Sequence, residues 1–150
     1  MTAAITDASN PRTVRHYTSV TQDPMQVVFA LVDARRRRDI DAVTELLDPA
    51  VVHHGVTDEL VCNNRDEVLH NVRRSFQHDD GGIAHLELIA AGDAVILGVA
   101  GPRFREAPWA ELGDQVFIVH TVRDGRVVAM RDFVSRADAF RAAGEPADWT

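Results

Sequence analysis

The side chain best placed to move protons in this sequence is Asp132. It lies in the stretch Arg126 to Ser135, where Val128, Met130, Asp132 and Val134 share one strand parity. Its neighbour Arg131 has the opposite parity and cannot neutralise it within the strand. The dipeptide Asp124-Gly125 predicts a tight hairpin that pairs Val122 with Val127, Val119 with Met130 and Phe117 with Asp132. On that register Phe117, Val119, Val128 and Met130 surround the carboxylate and would line an apolar pocket. The opposite face would hold Val116, Ile118, His120, Val122, Val127, Ala129, Arg131 and Phe133. A carboxylate desolvated in this way should hold its proton more tightly, which suits a general acid or base. The competing interpretation is a structural aspartate satisfied by a backbone amide, a Trp N–H or a Tyr hydroxyl.

Two adjacent histidines, His53 and His54, fall on the predicted strand Val51 to Val56, so only one can face a pocket. His53 shares the parity of Val51 and Gly55 and is the one expected inside, as a proton-transfer or orienting partner of Asp132. Packing, with one histidine buried and one exposed, is the simpler alternative. The pair does not suit a metal, because adjacent side chains cannot easily ligate one ion and no His-x-His spacing is present. Trp109 sits in the long connection Gly101 to Gly113, whose length suits a binding loop as well as a plain excursion. Cys62 has no evident histidine partner in sequence and is expected to be a small core residue.

Composition limits the chemistry further. The chain has 150 residues, 45 % of them apolar and 26 % charged, with a formal charge of −7. That is ordinary globular composition. An acidic chain lacks the basic footprint that nucleic acid or an anionic membrane requires. All 16 basic residues are arginine. Lysine Schiff bases, pyridoxal-phosphate attachment and a P-loop lysine are therefore excluded, and no cofactor is implied. The lysine-free, Ala- and Arg-rich composition suggests a GC-rich bacterial source. One cysteine permits no internal disulfide and fits a reducing cytoplasm. No segment reaches the roughly 18 apolar residues of a membrane span.

The elements that must position these residues read as follows. Residues 1–22 are expected to form an arm, and 23–150 one domain. Asp23-Pro24 with Gln26 opens a helix whose stripe is Val28, Leu31 and Val32, and Arg35 to Arg38 close it at the negative end of its dipole. A short helix with Ile40, Val43, Leu46 and Leu47 follows and stops at Asp48-Pro49. Asn64 with Glu67 caps a third helix carrying Val68, Leu69, Val72 and Phe76. Four strands are then predicted, over Ile83 to Ala91, Ala94 to Gly101, Gln115 to Arg123 and Arg126 to Ser135. Ser135 with Asp138 caps a last helix ending at Gly144. The order gives an α+β domain with helices on one face of an antiparallel meander.

This order, together with Leu47-Asp48-Pro49-Ala50-Val51-Val52-His53-His54-Gly55 and the ending Val122 to Phe133, resembles the nuclear transport factor 2-like superfamily. Its SnoaL-like branch is the most similar, over roughly Pro24 to Gly144. The resemblance implies a cone: a strongly curved antiparallel sheet with helices packed on its concave side, also described as cystatin-like. Relatives include polyketide cyclases, ketosteroid isomerases and limonene-epoxide hydrolases. Asp132 matches the catalytic aspartate that the epoxide-hydrolase branch carries at the end of its last strand. Where that branch has an Arg-x-Asp pair this chain has Val99 and Gly101, and where it has Tyr-x-Asn this chain has His53 and Gly55. The only tyrosine, Tyr17, lies in the arm. The resemblance thus implies an aspartate-centred acid–base mechanism of the polyketide-cyclase kind, abstracting a proton beside a carbonyl without metal or cofactor.

Two functions of different class follow from the sequence. One is a cofactor-independent isomerase, cyclase or hydrolase acting on a small hydrophobic molecule. Asp132 and His53 would be catalytic, and Phe117, Val119, Val128, Met130 and Trp109 would bind the substrate. The other is a non-catalytic ligand-binding or dimerisation module. A homodimer is expected through the outer sheet face, because Val116, Ile118, Val122, Val127, Ala129 and Phe133 would make an exposed apolar patch there.

Overall fold

A computed structural model describes residues 23–77, 85–101 and 115–145. Short-range chemistry sets most of its element boundaries. Helix α1 (Pro24–Arg36) begins where the Asp23 carboxylate accepts the Met25 N–H, with proline in the first turn. Helix α2 (Ile40–Leu46) begins where Asp39 accepts from Ala42. Helix α3 (Arg65–Phe76) opens on a capping box: Asn64 accepts the Glu67 N–H at 3.0 Å, and Glu67 accepts the Asn63 N–H at 2.7 Å. Helix α4 (Arg136–Ala142) is capped by Ser135. The strands are β1 (Leu47–His54), β2 (Val61–Cys62), β3 (His85–Ala91), β4 (Ala94–Ala100), β5 (Gln115–Arg123) and β6 (Arg126–Phe133).

The six strands form one curved, unclosed sheet in the order β2-β1-β6-β5-β4-β3. The hairpin at Asp124-Gly125 places both turn residues at positive φ, 53° and 77°, as a two-residue turn matched to the strand twist demands. β3 to β6 make the expected meander. β1 joins it parallel to β6, so the sheet is mixed rather than wholly antiparallel. This pairing is long-range and has no local signature. The two-residue strand β2 was not expected either.

The register of the last hairpin corrects the predicted faces. Val122 pairs with Val127 as expected, but Thr121 pairs with Ala129, His120 with Met130 and Ile118 with Asp132. Val128 is the extra residue of a β-bulge. Past it every side chain of β6 changes neighbours. Phe117 and Val119, expected beside Asp132, lie on the opposite face. There they pack with Ile96, Ala139 and Phe140 under α4. Helix α4 is therefore on the face opposite the main core, not on the concave side with the others. His120, expected opposite Asp132, shares its face.

The main core lies between the sheet and α1 to α3. It contains Val28, Leu31, Val43, Leu47, Val51, Leu69, Val95, Val122, Val127 and Met130. Val116, Val122 and Val127 are buried in this side of the domain, and Ile118 packs against it. The expected homodimer thus loses the surface from which it was argued, because four of the six residues assigned to the patch face the helices. Trp109 and the arm, residues 1–22, lie outside the described residues.

Candidate functional site

Three neighbouring strands bring the polar residues together. His53 of β1 pairs with Cys62 of β2 on one side and with Met130 of β6 on the other. Cross-strand partners share a face, so these three side chains form a row on the helix side of the sheet. Asp132 stands two residues beyond Met130 and opposite Ile118. His120 stands opposite Met130. Cys62, His53, Met130, Asp132, Ile118 and His120 therefore make one contiguous patch. The bulge at Val128 places Asp132 in it; a regular strand would turn the carboxylate to the other face.

The closest polar contact in the patch is between His53 and Asp132. His53 Nε2 lies 2.8 Å from Asp132 Oδ1, with the side chains 27 % and 18 % exposed. Both groups are largely shielded from bulk water. With a neutral imidazole, Nε2–H donates to the carboxylate. That fixes the tautomer and leaves the lone pair on Nδ1. It is His53 that faces Asp132; His54 is exposed and level with Arg131 on the other side.

His120 is 3 % exposed. Burial pushes its pKa down to about 4, because a buried imidazolium loses its hydration. Its neutral ring donates from Nδ1 to the Ile118 carbonyl at 3.2 Å, so Nε2 is the acceptor nitrogen. Burial likewise pushes the Cys62 thiol up, although the Asn71 amide donates to Sγ at 3.2 Å. Cys62 is a neutral thiol at the edge of the patch rather than an activated nucleophile.

The apolar surroundings differ from those expected. Met130 lies in the patch, and Val128 is the bulged residue. Leu97, Val99 and Val116, with Val32, Val56, Leu88 and Ile118 packed against them, form an apolar cluster on the same side of the sheet. Alternation alone assigned Val116 and Ile118 to the outside. The one sequence signal of the bulge is the unbroken apolar run Val127-Val128-Ala129-Met130, which a regular half-buried strand would interrupt. Asp132 was expected at the bottom of the main cavity. Among the described residues a groove of about 360 Å³ lies over β2 and α3, lined by Val61, Cys62, Asp66, Glu67, His70 and Asn71. It shares only Cys62 with the patch. Among the described residues, no group of three His, Cys, Asp or Glu side chains is arranged to hold a metal ion.

The SnoaL-like domain family matches residues 28–130 of this chain. A search of the curated proteins finds no match. Among solved structures, a candidate polyketide cyclase from Sinorhizobium meliloti is 19 % identical over 71 % of this chain and 93 % of its own, with a TM-score of 0.58. A second candidate polyketide cyclase, from Xanthomonas campestris pv. campestris, is 18 % identical over 74 % and 89 %, with a TM-score of 0.56. A hypothetical protein of ketosteroid isomerase-like fold from Catenulispora acidiphila, solved with trimethylamine, is 17 % identical over 83 % and 97 %, with a TM-score of 0.52. At such identities the likeness is one of fold.

Proposed function

The chain belongs to the SnoaL-like domain family, and from that premise we propose that it is a cofactor-independent acid–base enzyme acting on a small hydrophobic carbonyl compound. The observation that carries this reading is the 2.8 Å contact between His53 Nε2 and Asp132 Oδ1 on the helix side of the sheet. Asp132 Oδ2, the oxygen not held by His53, takes a proton from the carbon beside the carbonyl. The C–H electron pair becomes the C=C bond of an enolate, and the carbonyl π pair moves onto oxygen. His53 keeps the carboxylate oriented through its Nε2–H, and the Asp132 carboxyl gives the proton back from Oδ2 when the enolate is quenched. Reprotonation at another carbon is isomerisation; attack of the enolate carbon on a second carbonyl, whose π pair moves onto oxygen and takes the proton from Asp132, is cyclisation. The neutral ring of His120 and the apolar cluster around Leu97 and Val116 keep the surroundings weakly polar, which favours proton transfer from carbon.

The test needs no knowledge of the natural substrate. The protein is mixed with 2-tetralone in deuterated buffer, and exchange at the carbons beside the carbonyl is followed by NMR. The expected result is exchange faster than in buffer, proportional to protein concentration and unaffected by dialysis against chelator. No acceleration at millimolar ketone would point to the ligand-binding module of the same fold.

A further inference from the structure

Four arginines in succession, Arg35 to Arg38, end α1 and its following turn. Arg36 to Arg38 are exposed. Arg37 pairs with Asp33 and Asp39, and Arg38 donates to the Phe76 carbonyl and stacks on the Phe76 ring. Arg35 differs from them in being half-buried.

Helical spacing explains the difference. Val28, Leu31, Val32 and Arg35 share one face of α1. Val28 and Leu31 are 0 % and 4 % exposed. Val32 packs against both the main core and the cluster of Leu97, Val99 and Val116. This face is therefore the one α1 turns to the sheet, and Arg35 is the next residue along it. Its charge is also felt at His120, where it opposes protonation. A guanidinium thus stands near the His53–Asp132–His120 patch on the apolar side of a helix, in a chain whose net charge is −7. Capping the helix dipole does not require that placement, since exposed Arg36 and Arg37 serve it equally well.

We propose that Arg35 sets the substrate class of the site: an apolar carbonyl compound that also bears a carboxylate, which the guanidinium holds. The inference rests on the acid–base reading only for the reaction and not for the binding. A guanidinium has five N–H donors, so a ligand carboxylate can be accepted alongside other contacts. A carboxylate seated on Arg35 would leave the ring system of the ligand over Ile118 and Met130, next to Asp132.

The probes are 2-naphthoate and its neutral isostere 2-naphthalenemethanol, titrated calorimetrically into the full chain. The wild type should bind the acid at least about tenfold more tightly than the alcohol, the scale of one charge-assisted hydrogen bond. Arg35→Gln should lose that preference while binding the alcohol as before, and Arg35→Lys should keep part of it. Asp132→Asn should bind the acid no more weakly than the wild type, even if it changes no exchange rate, which separates this proposal from the acid–base reading. The proposal is overturned if wild type fails to prefer the acid, or if Arg35→Gln keeps the full preference.

Discussion

Asp132→Asn is expected to slow proton exchange on 2-tetralone by roughly a thousandfold, within the range of about 10² to 10⁴ for loss of a positioned general base. The amide is isosteric with the carboxyl, and its oxygen can still accept the His53 Nε2–H. The variant should therefore fold and keep the pair's geometry. What it loses is an oxygen that can take a proton. Urea unfolding of the variant should stay within about 1 kcal/mol of wild type, the scale of one net hydrogen bond. A fall in exchange of less than about fivefold, in a variant that remains folded, would remove Asp132 from the chemistry and leave it a structural aspartate.

Acid is expected to unfold this protein partly through His120. The folded state holds this histidine at a pKa of about 4, against 6.5 for the free side chain. The unfolded chain therefore takes up a proton as pH falls through 6.5, whereas the folded chain resists until near 4. The stabilising contribution is complete above 6.5 and is lost as pH falls, levelling off below 4. Between pH 7 and pH 4.5 the loss is on the order of 2 kcal/mol. His120→Gln carries no titrating ring. Its urea-unfolding free energy should fall less than that of wild type over the same interval, by about this amount. Equal falls in the two proteins would mean that His120 takes up its proton without opposing the fold.

The elements that were legible in the sequence are those decided by neighbours along the chain. Asp23-Pro24, Asn64 with Glu67 and Ser135 with Asp138 cap helices where expected, and Asp124-Gly125 makes the predicted turn. These signals act over a few residues and do not depend on what packs against them. The parallel pairing of β1 with β6 depends on residues some 80 positions apart. The site lies between these cases. Asp132 and His53 are both singled out by type and parity, but the expected neighbours of Asp132 were wrong. The bulge at Val128 exchanges Phe117 and Val119 for Ile118 and His120. A single unpaired residue reverses the faces of a strand because side chains alternate with a period of two. For the same reason His120, now inside the patch, was assigned outside it, and four of the six residues offered as a dimer interface face the helices.

The central claim is that His53 and Asp132 act as one acid–base unit, and a double-mutant cycle on the exchange of 2-tetralone tests it most directly. Three variants are compared with wild type: His53→Gln, Asp132→Asn and the two combined. Groups that serve one proton transfer are strongly non-additive. The account predicts that His53→Gln lowers exchange by about ten- to a hundredfold, and that the double variant is no slower than Asp132→Asn alone. If the two losses multiply in the double variant, the residues act independently and the 2.8 Å contact between them is a packing contact rather than part of the chemistry.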